Sequence, residues 1–127
     1  MDASANILNW FEIPVTDFER ARKFYETIFS ITMENMDMPG MTMAMFPYDM
    51  MSGKLSGAIV KGDMHKPSAD GVKIYFNGGS DLNTSLSKVE SAGGKVVMPK
   101  TRISDDIGYM AFFMDTEGNT VALHSQS

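Results

Sequence analysis

Residues 9–15, "NWFEIPV", alternate with a period of two. Phe11, Ile13 and Val15 fall on one side, and Trp10, Glu12 and Pro14 on the other. That is the pattern of a strand with one side in a core. The period then changes. Phe18, Ala21, Tyr25 and Ile28 recur at helical spacing, which predicts an amphipathic helix over 17–29. Thr16 followed three residues later by Glu19 reads as a capping box, and Asp17 suits the positive start of the helix. Strand-like pieces follow near 31–36, 41–47 and 55–60, separated by turns at Pro39-Gly40 and Ser52-Gly53. The last of them, "LSGAIV", does not alternate cleanly, so its facing is left open.

Residues 61–71, "KGDMHKPSADG", are polar and read as a linker, with His65 exposed in it. The pattern then restarts. "VKIYFN" (72–77) predicts a strand. Residues 80–94 predict a helix with Leu82, Leu86 and Val89 on one face and Gly93-Gly94 as its stop. Strands follow near 95–99, 108–114 and 119–125. Asp17 and Asp81 stand at matching helix starts. The chain is therefore β-α-β-β-β written twice, an α+β domain over 1–127. Module one covers about 6–60, the linker about 61–71 and module two about 72–126.

Strand parity assigns the faces. Phe11, Ile13, Val15, Val72, Ile74, Phe76, Val121 and Leu123 should meet the helix layer. Trp10, Glu12, Lys73, Tyr75, Thr120, Ala122 and His124 are left on the open face. A helix covers only one side of such a sheet. The other is the natural place for a ligand unless a second unit or a second chain curls over it.

Composition narrows the function. The net charge is −5 with no basic cluster, which argues against nucleic acid or an anionic membrane surface as partner. There is no cysteine, so disulfides, thiolate metal sites and thiol nucleophiles are excluded. No run approaches the ~18 consecutive apolar residues of a membrane helix. The first ten residues lack the basic start and apolar stretch of a signal peptide, and a cytoplasmic location is the expectation. Eight of the 13 methionines lie between positions 33 and 51. Most suit gap-filling in a core, while Met41, Met43 and Met45 also suit an adaptable pocket wall.

"FEIPVTDFERARKFYETIF" at 11–29 and "GYMAFFMDTEGNTVALHS" at 108–125 resemble the vicinal oxygen chelate superfamily, which holds glyoxalase I, bleomycin-resistance proteins and extradiol dioxygenases. The resemblance implies paired βαβββ modules forming a cupped mixed sheet with helices on the outer face, commonly completed by homodimerisation. It also implies four metal-ligand positions in the metal-dependent members: a His in the first strand of each module and a Glu or other ligand in the last. A divalent ion held there polarises the vicinal oxygens of the substrate. In this chain those positions fall on Trp10, Gly57, Lys73 and Ala122, so no metal cofactor is expected. Glu12 and His124 each lie two residues beyond a lost ligand and are the candidates for acid–base catalysis.

Three functions follow. The first is a metal-free protein that binds a small organic molecule in the cup, as in the bleomycin-resistance branch. Its pocket candidates are Trp10, Glu12, Met43, Met45, Lys73, Tyr75, Ala122 and His124. The second is a lyase, isomerase or dioxygenase of the glyoxalase type with a divergent metal site or Glu12/His124 chemistry. The third is a partner module with a filled cleft and no ligand.

Overall fold

A computed structural model describes residues 1–127. Module one contains β1 (Trp10–Pro14), α1 (Phe18–Phe29), β2 (Glu34–Met38), β3 (Met41–Met45) and β4 (Ser56–Gly62), with a 3₁₀ turn at Met50–Ser52 before β4. Module two contains β5 (Tyr75–Asn77), α2 (Asn83–Leu86), β6 (Lys95–Ser104), β7 (Gly108–Met114) and β8 (Thr120–Ser125). The strands form two four-stranded sheets of the same topology, β1-β4-β3-β2 and β5-β8-β7-β6. In each, the first strand runs parallel to the last and the other pairings are antiparallel. The repeat seen in the sequence is thus a repeat of structure.

α1 begins differently from the capping box expected. Asp17 is the N-cap, and its side chain accepts from the Arg20 N–H at 3.1 Å. The Thr16 and Asp17 N–H groups donate instead to Glu117, at 2.9 and 2.7 Å. A carboxylate from the other module satisfies the helix start, so Glu19 has no N–H left to cap. α2 is also shorter than the periodicity over 80–94 suggests. After one α-turn most bonds span three residues, such as Lys88 N–H to Ser85 O and Val89 N–H to Leu86 O. Asn, Thr and Ser are weak helix formers, so the segment tightens into turns while still burying Leu82, Leu86 and Val89.

Parity holds for most positions. Val72 is the exception: it is 92% exposed rather than in the helix layer. β8 starts only at Thr120, so Val72 has no neighbour to pair with, and regular β5 pairing begins at Tyr75 opposite Ala122. The facing of β4 is settled by its register. Gly57 lies beside Phe11 and Ile59 beside Ile13, so both face the helix layer, while Ser56, Ala58 and Val60 share the side of Trp10, Glu12 and Pro14. A Cβ on Gly57 would stand 2.4 Å from Phe11 O and 2.6 Å from its ring, which is why the position takes no side chain.

One core serves both modules. Phe24, Tyr25, Ile28 and Ile59 from the first pack with Leu82, Val89, Phe113 and Leu123 from the second. Within it, the rings of Phe11, Tyr25, Phe29, Phe46 and Phe76 form a chain with centroids 4.9–6.5 Å apart. A smaller apolar group lies on the open side of module one, where Met43, Ala58 and Val60 are buried among Trp10, Met36, Met41 and Met45. Polar clamps also join the modules. Asn119 Nδ2 donates to Pro14 O at 2.8 Å, the Tyr25 hydroxyl donates to Asp115 at 2.7 Å, and Arg20 pairs with Glu117 at 2.8 Å. β1 and β5 are both end strands, and no backbone hydrogen bond joins them.

Candidate functional site

The gap between β1 and β5 is where the largest cavity opens. Its volume is about 1040 Å³, and its apolar wall includes Phe11, Phe29, Phe46 and Phe76 with Ile31, Leu55 and Ile74. Asn77, Ser80, Thr84 and Ser85 from the β5–α2 segment add polar atoms. Lys73 is the single charged residue in the lining. Its Nζ lies 5.2 Å from the centroid of Phe112, a cation–π contact, and none of the five ion pairs of the chain includes it. The cavity is concave, mostly apolar and within the size range of small-molecule sites. The cleft is not filled.

This is not where parity put the site. Of the predicted pocket residues, Lys73 and Tyr75 line the cavity, while Trp10, Glu12, Met43, Met45, Ala122 and His124 do not. Alternation tells which face of one strand a residue takes. It does not tell where two sheets part, and at an open edge residues of the helix-layer face become accessible as well. Met43 is 4% exposed inside the methionine group, and Trp10 rests edge-on against Tyr48 with centroids 5.8 Å apart. Phe29 and Phe46 of the aromatic wall had no role assigned from sequence; nothing in their spacing marks them as a cavity lining.

Glu12 and His124 are not brought together. Glu12 Oε1 meets His65 Nε2 at 2.7 Å, and His124 Nε2 donates to Ile107 O at 2.5 Å. His65 is therefore not the exposed linker residue the composition suggested. The linker folds back, with the His65 N–H bonded to Gly62 O at 3.1 Å, and carries the ring over β1. Its Nδ1 is buried without a hydrogen-bond partner. Glu12 lines a second cavity of about 240 Å³ together with Lys66, Ser68 and Asn119, and His124 lines a third with Tyr75 and Met110. A Glu–His dyad can move a proton, but it stands apart from the large apolar cavity. No sequence signal announced it, since the partners are 53 positions apart.

The positions of the expected metal ligands are now defined. Ala122 is fully buried between Tyr75 on β5 and Phe112 on β7. Those two rings stand two strands apart yet approach to 6.1 Å at 72°, so they lean together across the small residue between them. Module one repeats the arrangement, with Ala58 beside Glu12 as Ala122 is beside Tyr75. Ala58 is likewise fully buried, and it replaces Gly57 as the last-strand position, because Gly57 faces the helices. Trp10, Ala58, Lys73 and Ala122 offer methyl groups, an indole and an ammonium. None is a donor suited to a divalent ion near neutral pH, so these residues do not fit the metal. No three His, Asp or Glu side chains gather elsewhere.

The most perturbed ionisable groups are structural. Burial alone would raise the Glu117 carboxyl, but hydrogen bonds from Arg20, Asp17, Thr116 and Thr16 outweigh it and hold it at about 2. Burial pushes the Tyr25 phenol well above its usual value, and the charge of Asp115 adds to this. Both groups lie at the junction of the modules and not in the cavity.

Known proteins show the same pattern. A family model for the bleomycin resistance protein-like N-terminal region matches residues 8–46. A glyoxylase-like domain-containing protein of Didymella fabae is 32% identical over 121 residues, covering 91% of each chain. Among solved structures, a glyoxalase I mutant from Zea mays superposes with a TM-score of 0.71 at 21% identity, over 94% of this chain and 46% of that one. This chain thus spans less than half the length of the maize enzyme. A glyoxalase/bleomycin resistance protein from Albidiferax ferrireducens matches over 93% of this chain and 98% of its own, with a TM-score of 0.64 at 15% identity. At these identities the two structures speak for the fold alone. No helix is long and apolar enough to cross a membrane.

Proposed function

This chain belongs to the glyoxalase-like proteins of the vicinal oxygen chelate superfamily, and from that premise we propose that it is a metal-free protein that binds a small apolar organic molecule in the cavity between its modules. The observation that carries the reading is Ala122, fully buried beneath Tyr75 and Phe112 where the metal-dependent relatives place a ligand carboxylate. A carboxylate there would have to part the ring pair. The cavity lined by Phe11, Phe29, Phe46 and Phe76 supplies the binding surface. Burying about 200 Å² of a ligand's apolar surface contributes roughly 5 kcal/mol before the cost of association, which suits a modest affinity.

The test is one preparation with two measurements. Untagged protein is loaded with nickel, zinc, manganese and iron(II), dialysed exhaustively and assayed for metal. It is also titrated with the neutral fluorophore N-phenyl-1-naphthylamine. The reading expects less than about a tenth of an equivalent of any metal, since held ions need three or four good ligands. It also expects saturable binding that is weakened by Leu55→Trp, which fills the cavity from a partly exposed position. Near-stoichiometric metal, or no saturable binding, overturns it.

The enzyme reading keeps one observation, the 2.7 Å contact between Glu12 and His65 beside the smaller cavity. Acid–base turnover of a hemithioacetal that Glu12→Gln abolishes would put it first. A homodimer in the cytoplasm remains part of the proposal: the exposed Met38, Val97, Ile103 and Ile107 give apolar surface that symmetric association would cover. Light scattering at micromolar concentration checks it, and a monomer mass counts against it.

A further inference from the structure

The charge pattern of the large cavity goes further than its apolar wall. The chain carries 16 acidic residues against 11 basic ones. None of those carboxylates lines the cavity, and one cation, Lys73, does. Lys100 is the one lysine of the chain in an ion pair, so Lys73, like the others, has no carboxylate partner. Lys73 holds its ammonium beside the face of Phe112, which is not itself part of the lining, on a long side chain free to turn toward the cavity that the residue borders. It sits just ahead of β5, one residue before Ile74 and three before Phe76, whose side chains belong to the apolar wall. Its sequence neighbours in the lining, Val72, Ile74 and Tyr75, bring no carboxylate.

From this geometry we infer that the cavity selects an aromatic organic acid, its ring system against the phenylalanine wall and its carboxylate or sulfonate on the Lys73 ammonium. This rests on the binding function proposed above. The two parts of such a ligand match the two parts of the site. A flat ring system suits walls of Phe11, Phe29, Phe46 and Phe76, because offset and edge-to-face ring contacts add to burial. An anion removes the charge imbalance and leaves no polar group of the ligand in an apolar place. A cationic or zwitterionic molecule would bring an ammonium toward a lone ammonium with nothing to neutralise it. Lys73 is a binding and selectivity residue here, with no part in a reaction.

Two probes that share one ring system separate the contributions. N-phenyl-1-naphthylamine is neutral, and 1-anilinonaphthalene-8-sulfonate is the same scaffold with one sulfonate. Fluorescence titrations of the intact chain at low salt should show the sulfonate bound about five-fold more tightly, the size of one partly exposed charge pair. Adding sodium chloride to about 0.5 M should shrink that ratio toward one by screening. Lys73→Met should bring the ratio to about one at low salt, and Lys73→Arg should keep it. Lys73 is exposed on a segment ahead of the β5 pairing, so neither variant threatens the fold. Equal affinities in the unmodified chain, or a preference that survives Lys73→Met, overturn the acid inference while leaving an apolar binding site in place. Saturable binding of neither probe overturns both.

Discussion

Replacing Glu117 by Gln removes one negative charge while keeping the shape of the side chain. In the folded protein the Glu117 side chain is fully covered and accepts five hydrogen bonds. Two come from the N–H groups of Thr16 and Asp17, two from the Arg20 guanidinium and one from Thr116. Together they move its pKa from 4.5 to about 2. At about 1.4 kcal/mol per unit that shift corresponds to roughly 3 kcal/mol. Arg20 is 53% exposed, so solvent screens its share, and about 2 kcal/mol is the figure to carry forward. The folded pKa lies below the unfolded one. The contribution is therefore complete above about pH 4.5, declines as the pH falls and is gone below about 2. Glu117→Gln should lower stability at pH 7 by about 2 kcal/mol, a fall in Tm of roughly 8 °C for a domain of this size. At pH 3 the gap between the two proteins should have shrunk by more than half. Urea unfolding followed by far-ultraviolet circular dichroism at pH 7, 4 and 3 measures it, since urea leaves ionic strength unchanged. A gap below about 0.5 kcal/mol at pH 7, or one of equal size at pH 3, would refute the assignment of Glu117 as an ionised cap shared between modules.

Other substitutions probe the remaining contacts. Tyr25→Phe deletes the buried hydroxyl that donates to Asp115, whose Oδ2 keeps only the Asn119 amide, and urea unfolding should show a loss of about 1–2 kcal/mol. Gly94→Ala places a Cβ 2.6 Å from Met114 O and 2.7 Å from the Phe24 ring, where neither neighbour has room to yield. It should cost about 2 kcal/mol or more, and a Tm within 2 °C of the parent would contradict the packing. Ala122→Glu forces a carboxylate into the fully buried space under the Tyr75–Phe112 pair, so calorimetry should show a Tm lower by about 10 °C or more at pH 7. The same variant should gain no nickel, because Trp10, Ala58 and Lys73 still offer no ligand.

Much of the fold was legible along the chain because its signals are local. The period-two pattern of Phe11, Ile13 and Val15 and the helical spacing of Phe18, Ala21, Tyr25 and Ile28 each depend on a few neighbours, and each buries the side predicted. The repetition of β-α-β-β-β was equally plain. Where the sequence misled, the deciding partner was distant. Glu19 lost the capping role to Glu117, about a hundred positions away, and Glu12 found His65 across a linker that looked featureless. The site was legible only in part for the same reason. Lys73 and Tyr75 were placed by parity, but the phenylalanines around them line a cavity only because two sheet edges stop short of each other. Neither hydropathy nor spacing encodes that separation.

The way the modules are joined has a mechanical consequence. Every polar clamp between them, from Arg20–Glu117 to Asn119–Pro14, lies on the helix side or at the far end of β1. Along the facing edges of β1 and β5 there is no backbone bond to break. The two sheets resemble the covers of a book, bound at the spine and loose at the fore-edge. Parting them at the fore-edge by an ångström or two costs ring contacts among Phe11, Phe46 and Phe76 but no ladder hydrogen bond. The width of the cavity is set by side chains that a ligand can replace, while the spine keeps the chain folded as it enters and leaves.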